Sequence, residues 1–523
     1  MPSFIRSKAS TANPYIYIYP HLQIPKKNQK TATITSILSS KSYSNRRRAR
    51  SALSAELSPN RLSSLTLVDQ APTVPLDMLP APYSTGDPKS FGSSTIHKRL
   101  PAIFRQIITD LDTEAQSQPS GEKRQESEQI AQQLNQLIDD FASNAPVSPP
   151  EPLIPSDSSY IETLAQIGPL QWQNAPWLFV ECLSYRLAQQ IFDKSKHWTQ
   201  YDMFGAAKAS TFSKSQMAVG DLAQRFTTME TQMESLGAKS ADEQFQVLKV
   251  LFHEVVMTCL WGNATDLSLL VSIDLEEIKR LQVASDERDK DSLLANDFEQ
   301  VWNEIRATQG GRVDIVLDNA GFEFYTDLLL AVFLLDSGLA EQVVLHPKSQ
   351  PWFVSDVTPI DWMETTNLLS DEAKFPSNRD AINKLITKIV YYQECGQIIM
   401  RTSWFWTLGC AFWEIVENGK YGGGDVWKDL RGSKMVFFKG DLNYRKLTGD
   451  LAWPRDTPFA TAIQGLAHNG IPMVTLRTCK ADVVVGIPSG KEKELEDNWG
   501  KTHSPPEGWC WSGEYAVIQY TRK

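Results

Sequence analysis

The feature that most constrains the fold of this chain is a change of pattern after Gly311, where short apolar runs begin to alternate with helical spacing. The run "RVDIVLD" at 312–318 has the composition of a buried strand, residues 321–338 have the spacing of a helix, and "EQVVLHP" at 341–347 is a second apolar run. Two strands joined by a helix lie parallel in one sheet, because the crossover brings the chain back to the same edge. The sequence therefore predicts an α/β domain with a mostly parallel sheet.

Further apolar runs extend this pattern towards the end of the chain. We predict a third segment in "PWFVSDV" (351–357), and strands in "SKMVFFKGD" (433–441), "PMVTLRTCKADVVVGIP" (472–488) and "EYAVIQY" (514–520). From Trp172 to about Ala307, apolar residues recur instead every three or four positions. That spacing predicts a region of five or more helices.

Charge is distributed unevenly along the chain. The first 55 residues contain no acidic residue, and residues 1–77 carry 11 Lys and Arg against 3 Asp and Glu, which leaves 41 against 59 for the remainder. A basic, serine-rich segment of this kind is typical of an organellar transit sequence, with a disordered leader or a rarely used upstream start as the alternatives. We divide the chain into this leader (1–77), a mostly helical region (78–307) and an α/β domain (308–523).

The body of the chain is acidic, with a net charge of −18 outside the leader, and gives no general electrostatic footprint for nucleic acid. Its uncharged apolar stretches are too short to span a bilayer. The six cysteines have no C-x-x-C spacing, which favours reduced thiols inside the cell. We expect an intracellular protein, cytoplasmic or, where the leader directs import, mitochondrial. Neither nucleic acid nor membrane is an expected partner, and the oligomeric state stays open.

Polar side chains stand where the predicted strands end. Ligands of open α/β sheets bind beyond the carboxyl ends of the strands, and the ends here carry Asp318 with Asn319, Asp356, Asp441 to Arg445, and Arg477 to Lys480. Carboxylate and amide oxygens suit Mg²⁺ or Mn²⁺, while Arg and Lys bind phosphate. Taken one at a time, an Asp or Asn before a helix is most often a cap, and Arg477 with Lys480 is most often a solvated pair. Two adjacent oxygen-bearing side chains, where a cap needs one, favour a metal site with phosphate beside it.

Other catalytic signatures fail on physical grounds. Cys395 and Arg401 have the C-x5-R-[ST] spacing of cysteine phosphatases, but the apolar residues between them continue a helical pattern, on which the two side chains would diverge. Ala320 occupies the position where haloacid-type phosphatases need an acid, which argues against an aspartyl-phosphate at Asp318. The sequence has no P-loop, dinucleotide or serine-hydrolase motif, and we interpret His253, on an apolar helical face, as a core residue.

Longer motifs carry a resemblance to a known family: "LDNAGFEFYTDL", "PWFVSDV", "FKGDLNYRKLTGD" and "LRTCK", supported by "CLWGNATDLS" at 259–268. In this order they resemble the metal-dependent damage-control phosphatases with the domain of unknown function 89. The match is to the sugar-phosphate subgroup with an Arg-Thr-x-Lys motif, here Arg477, Thr478, Cys479 and Lys480. The resemblance covers about Met78 to Lys523. It implies a helical amino-terminal region packed on a three-layer α/β/α domain.

The resemblance also implies a function. The activity it implies is hydrolysis of small phosphorylated sugars such as fructose 1-phosphate and fructose 6-phosphate. The implied cofactor is a divalent ion, Mn²⁺, Co²⁺ or Ni²⁺ with Mg²⁺ as a further option, held by Asp318, Asn319 and Asp356. The implied substrate-binding residues are Asp318, Asn319, Asp441, Leu442, Asn443, Tyr444, Arg445 and Lys480.

We hypothesise that the metal polarises the phosphoryl group and orients a water, while Lys480 and Arg445 neutralise developing charge. Asp318 and Asp441 are the candidate catalytic residues, with Asp441 positioning the water or the substrate. Two alternatives stay open. The family is also described as methylating protein carboxylates with S-adenosylmethionine, and Glu323 matches a position assigned to that ligand, although a Glu in the first turn of a helix also interacts favourably with the helix dipole. The other alternative is a non-enzymatic scaffold that binds partners through its helical half.

Overall fold

A computed structural model describes residues 16–19, 74–117, 121–238, 240–262, 292–307 and 310–522, all of which belong to one structural unit. Most of the basic leader lies outside the described residues. The transit segment expected there therefore stays a prediction. Residues 263–268 of the supporting motif also lie outside them.

The described residues form one eight-stranded sheet. Its strands are β1 (Ile16–Tyr19), β2 (Leu293–Asn296), β3 (Arg312–Val316), β4 (Gln342–His346), β5 (Ile398–Ser403), β6 (Met435–Lys439), β7 (Met473–Thr478) and β8 (Ala516–Thr521). They lie in the order β1-β5-β4-β3-β6-β7-β8-β2. The five central strands, β3 to β7, are parallel; β1 and β8 pair antiparallel with β5 and β7, and β2 pairs parallel with β8. The mostly parallel sheet expected from the sequence is confirmed.

Helices make up most of the remaining described chain. They are α1 (Phe91–Ser94), α2 (Leu100–Ser117), α3 (Gly121–Ala142), α4 (Asp157–Ile167), α5 (Trp177–Asp193), α6 (Gly205–Lys214), α7 (Gln216–Ser235), α8 (Ala241–Trp261), α9 (Phe298–Ala307), α10 (Phe322–Asp336), α11 (Pro359–Ser370), α12 (Arg379–Glu394), α13 (Gly423–Leu430), α14 (Gly440–Thr448), α15 (Phe459–Ala462) and α16 (Lys491–Trp499). A π-helical turn (Thr95–Arg99) joins α1 to α2, and 3₁₀ turns occupy Leu76–Met78, Leu236–Ala238, Trp404–Thr407, Phe412–Glu414, Gln464–His468 and Pro506–Trp511. Within the described ranges, no helix is both long and apolar enough to cross a bilayer.

Both faces of the central sheet are covered. Val436 and Phe438 of β6 belong to one hydrophobic core, and Met435 and Phe437, on the opposite face, are just as fully buried. Parallel strands buried on both faces are the mark of a three-layer α/β/α arrangement. The core of the helical region also includes Trp352 and Leu442 from the α/β part, so the two pack against each other as expected.

Two of the expected strands are not strands. "PWFVSDV" forms turns in which Phe353 and Val354 adopt φ of +44° and +71°, a left-handed conformation that breaks an extended run; only an isolated bridge pairs Asn319 with Asp356. The run after Thr478 is irregular as well, and the Arg477 guanidinium donates hydrogen bonds to the carbonyls of Ala481 and Val483 in it.

The helical interpretation of the segment between Cys395 and Arg401 was wrong. Helix α12 ends at Glu394, Gly396 has a φ of +68°, and Ile398–Ser403 forms β5. The cysteine-phosphatase interpretation still fails, for a different reason. Cys395 is exposed at the end of the helix, and Arg401 is paired with Asp429.

Candidate metal and phosphate site

The loop between β3 and α10 carries the adjacent predicted ligands Asp318 and Asn319. Asp318 is only 6% exposed and lies against the start of α14, where a Cβ added to Gly440 would come within 1.9 Å of Asp318 Oδ2. Gly440 also has a φ of +81°, so glycine meets both the steric and the backbone demand. The end of β6 is thereby brought against the Asp318 carboxylate.

Asp356 reaches the same place through a loop. The N–H of Val357 donates to the carbonyl of Asp318 over 2.8 Å, and Ser355 Oγ donates to Asn319 Oδ1 over 2.5 Å. The structure therefore brings together Asp318, Asn319 and Asp356, which the sequence predicted as metal ligands. With Glu323, in the first turn of α10, they are called the metal side of the site below.

The carboxylates of the metal side repel one another in a buried place. Burial, with repulsion from Glu323 and Asp356, raises the pKa of Asp318 well above its usual range. Burial also raises the pKa of Asp356 to about 6, against the opposing effect of Lys348. Burial acts on Glu323 in the same direction, but the Lys439 ammonium and an amide hydrogen bond outweigh it and lower its pKa. The metal side is thus short of positive charge.

Two fully buried lysines lie behind these carboxylates, and the sequence analysis missed both. Lys348 Nζ is 3.2 Å from Asp356 Oδ2. Lys439 Nζ donates to Asp327 Oδ1 over 2.7 Å and to Glu323 Oε1 over 3.1 Å. A signal was present for Lys439, because it ends the buried apolar run of β6, where an ammonium group requires a charged partner.

The donor set fits a divalent cation. Four carboxylates face two ammonium groups, which leaves two negative charges when all six groups are ionised: Asp318, Glu323, Asp327 and Asp356 against Lys348 and Lys439. Buried Asp356 Oδ2 receives no hydrogen bond of good geometry in spite of its short distance to Lys348. Hard oxygen donors with uncompensated negative charge are what Mg²⁺ and Mn²⁺ prefer.

Asn319 needs one rotation to serve as an oxygen ligand. Its Nδ2 donates to Asp318 Oδ2 over 2.6 Å and to Glu323 Oε2 over 2.8 Å, so the nitrogen faces the Asp318 carboxylate. A half-turn of the amide presents Oδ1 there instead, and Ser355 Oγ can then accept from Nδ2. In the described part of the chain, no three His, Cys, Asp or Glu side chains are grouped for metal binding, and the proposed set instead combines two carboxylates with one amide oxygen.

Two segments form what is called the phosphate side below. Asp441–Arg445 follows β6, and Arg477–Lys480 comprises the end of β7 and the start of the loop after it. Asp441, in the first turn of α14, accepts through Oδ1 from Arg477 Nε over 2.8 Å and from the backbone N–H of Lys480 over 3.0 Å. Arg477 and Cys479 are buried, whereas the Lys480 side chain is exposed. Its backbone N–H is held by Asp441, which follows the glycine that lies against Asp318, so Lys480 lies on the same edge of the sheet as the metal side.

The Arg445 guanidinium is already bound by two buried acids. Its guanidinium donates to Asp450 over 2.9 and 3.0 Å and to Glu181 over 2.8 Å, and its Cζ lies 3.7 Å from the centre of the Trp177 ring. Only 3% of Arg445 is exposed. The structure therefore gives Arg445 a position inside the protein and does not bring it beside Lys480 at the surface.

The three residues before Arg445 are buried as well. Asn443 Nδ2 donates to the carbonyls of Leu317 and Lys439, over 3.1 and 2.7 Å, and so ties the end of β3 to the end of β6. The Tyr444 hydroxyl donates to Gln519, and Leu442 packs into the helical core. Their contacts fix the start of α14 against the rest of the protein.

One face of α5 supports both sides of the site. Trp177 and Glu181 contact Arg445 of the phosphate side, and Tyr185, one further turn along, packs with its ring centre 4.8 Å from that of Phe353 in the loop that carries Asp356. Residues four apart share a face of a helix. The sequence predicted a helix here, but its role at the site was missed; the available signal was Glu181, an acid within the apolar run "WLFVECL".

The sequence was compared with known proteins. The domain described as "Damage-control phosphatase ARMT1-like domain" matches residues 95–495. Proteins named damage-control phosphatase ARMT1 match at 32% identity: that of Danio rerio over 83% of this chain and 95% of its own length, and that of Homo sapiens over 85% and 99%. The Xenopus tropicalis protein of the same name is 32% identical, over 82% and 96%.

Proposed function

The chain belongs to the damage-control phosphatase ARMT1-like family and is a phosphatase, and from this premise we propose that it hydrolyses small sugar phosphates such as fructose 1-phosphate and fructose 6-phosphate. The proposed site has Asp318, Asn319 and Asp356 as ligands of a divalent metal. The observation that carries the proposal is the uncompensated negative charge of the metal side beside an exposed lysine, Lys480.

The family is generally metal-dependent, and for this chain we propose Mn²⁺, Co²⁺ or Ni²⁺, with Mg²⁺ as a further option. Such an ion would act as a Lewis acid on a phosphoryl oxygen and lower the pKa of a bound water. Carboxylate and amide oxygens can bind each of these metal ions, so the proposal covers all of them.

The side chains of the phosphate side supply the remaining functions. Lys480, with its exposed ammonium, binds the phosphate oxygens and neutralises charge that develops on them. The amino end of α14 lies beside Asp318 and adds the favourable field of a helix N-terminus. Asp441 holds the backbone of Lys480 through Oδ1, which leaves Oδ2 to position the water or the substrate.

We also propose that the protein acts inside the cell. All six cysteines lie among the described residues and all are free thiols, which is the usual state in a reducing compartment. The choice between the cytoplasm and a mitochondrion depends on the leader.

The test is phosphate release from a panel of sugar phosphates by the full chain, with and without Mn²⁺, Co²⁺, Ni²⁺ or Mg²⁺. The Asp318→Ala variant is measured beside it, with Asp497→Asn as a control at an exposed acid. We expect metal-dependent release that Asp318→Ala loses and the control keeps. Absence of release with every metal would contradict the proposal and favour the methyltransferase or scaffold alternatives.

A further inference from the structure

Lys439 is the last residue of β6, and its ammonium lies inside the protein between two acids of α10. It is fully buried, and Nζ donates to Asp327 Oδ1 over 2.7 Å and to Glu323 Oε1 over 3.1 Å. Asp327 is itself fully buried. Glu323 retains some exposure, with 24% of its side chain accessible.

The contact continues from Glu323 to the metal ligands. Glu323 uses its second oxygen, Oε2, to accept from Asn319 Nδ2 over 2.8 Å, and the same Nδ2 reaches Asp318 Oδ2 over 2.6 Å. A carboxylate held at one oxygen by an ammonium and at the other by an amide has little freedom to rotate. Lys439 therefore holds the Glu323 carboxylate beside the same amide group that turns to present its oxygen to the metal.

The backbone of Lys439 belongs to the other side of the site. Its carbonyl accepts from Asn443 Nδ2 over 2.7 Å, and the next residue, Gly440, is the one that lies against the Asp318 carboxylate. A single residue thus begins the phosphate-side segment with its main chain and holds the metal side with its side chain.

We propose that Lys439 is a positioning residue of the metal site, which fixes the Glu323 carboxylate beside the Asn319 amide and the Asp318 carboxylate. The inference rests on the proposed function. Lys439 does not touch the substrate, because its ammonium is enclosed between the two acids. Removal of a group that orients a metal ligand typically weakens metal binding by about 10- to 100-fold.

The first test is Mn²⁺ affinity, measured by calorimetry on the full chain with Lys439→Met, which keeps the length of the side chain and removes the charge. We expect Mn²⁺ to bind about 10- to 100-fold more weakly than to the wild-type chain. At saturating Mn²⁺, the KM for the sugar phosphate should stay within about threefold of wild type, since the phosphate side keeps its contacts. If the substitution only destabilised the whole protein, it would not weaken Mn²⁺ binding while leaving KM unchanged.

A matched control removes a comparable ammonium far from the site. Lys388 also bridges two acids, Glu230 of α7 and Asp336 at the other end of α10. Lys388→Met should lower thermal stability and leave Mn²⁺ affinity unchanged. Equal Mn²⁺ affinities in Lys439→Met and Lys388→Met would overturn the inference.

A double variant separates positioning from charge neutralisation. If Lys439 only neutralised Asp327, then Lys439→Met combined with Asp327→Asn would restore wild-type Mn²⁺ affinity, and the inference would be wrong. If Lys439 positions Glu323, the double variant stays weak, because Glu323 still lacks its donor. Wild-type chain that neither binds Mn²⁺ nor releases phosphate would defeat the proposed function and this inference together. If the wild-type chain binds Mn²⁺ and releases phosphate, and Lys439→Met binds Mn²⁺ equally well, only the inference about Lys439 would be wrong.

Discussion

The metal side and the phosphate side of the site bury charged groups in different ways. On the metal side, Asp318 lies among other acids, and burial and repulsion raise its pKa. On the phosphate side, each buried arginine already has its acid: Arg445 has Glu181 and Asp450, and Arg477 has Asp441. Buried ion pairs that are complete hold a loop in place, whereas buried like charges require a cation from outside.

The difference assigns roles that residue type alone does not. Arg445 and Lys480 are both cations expected to neutralise phosphate, but only Lys480 is exposed. Among the described residues, no hydrogen bond or ion pair engages the Lys480 ammonium. The complete ion pairs therefore hold the structure, whereas Asp318 and Lys480, which form no ion pair in the described part of the chain, are the groups that we propose for ligand binding.

The largest effect should follow from Asp318→Asn. A metal contributes several kcal/mol to the transition state, and each ~1.4 kcal/mol is a factor of ten, so we expect kcat to fall by about 10³-fold. The metal-free variant should unfold at a temperature equal to or above that of the wild-type chain, because a buried repulsive charge has been removed. Thermal unfolding in the presence of a chelator measures this. A lower unfolding temperature would mean that the metal side is not short of positive charge.

Arg445→Met should mainly affect stability. The substitution leaves Glu181 and Asp450 buried without their partner, and breaking a buried pair costs about 3–5 kcal/mol. Urea unfolding of the full chain measures the loss. If the variant instead kept its free energy of unfolding and lost only affinity for the substrate, Arg445 would contact phosphate and the comparison of the two sides would fail.

The sequence was sufficient for several elements of the α/β part and for the polar ends of β3, β6 and β7. The run "RVDIVLDNAG" predicts β3 and the junction that carries Asp318 and Asn319, because strand composition and the start of a helix are both local properties. The loop of Asp356 was mistaken for a strand, since its conformation depends on left-handed backbone at Phe353 and Val354 and on packing against Tyr185. Those contacts join distant parts of the chain, and no local pattern encodes them.

The partners of the charged side chains were even harder to predict from the sequence. Arg445 and Lys480 are both basic residues in motifs that follow a strand, and their burial and partners distinguish them. The partner of Arg445, Glu181, is 264 residues away in α5. Lys439 and Glu181 each had a local signal, because a charged residue within a buried apolar run requires a partner of opposite charge nearby.

Asp482, in the loop after the phosphate side, should give a pH-dependent stability. Burial and repulsion from Asp450 raise its pKa from 3.8 to about 7, although Ser90 and the N–H of Phe91 bond to it. A folded-state pKa above the unfolded value gives stability that is complete below about pH 4 and is lost as the pH rises through about 7. The loss amounts to at most about 4 kcal/mol.

The Asp482→Asn variant should remove this dependence. Urea unfolding at several pH values between 4 and 8 should show a smaller decrease for Asp482→Asn than for the wild-type chain. Asp497→Asn, at an exposed acid, should follow the wild type. Parallel curves for wild type and Asp482→Asn would show that the loop after the phosphate side is not under electrostatic strain.

The smallest effect expected is that of Lys480→Met, and it tests the phosphate side most directly. A charge-assisted hydrogen bond contributes about 1.5–3 kcal/mol, so the KM for the sugar phosphate should rise by about 10- to 100-fold. The free energy of unfolding should stay within about 0.5 kcal/mol, because the exposed ammonium has no partner to lose. Lys480→Arg should recover part of the affinity, and Lys493→Met, at another exposed lysine, should change neither quantity. An unchanged KM in Lys480→Met would mean that phosphate is bound by one of the paired arginines after its ion pair opens, which would reverse the roles assigned to the complete and the unpaired cations.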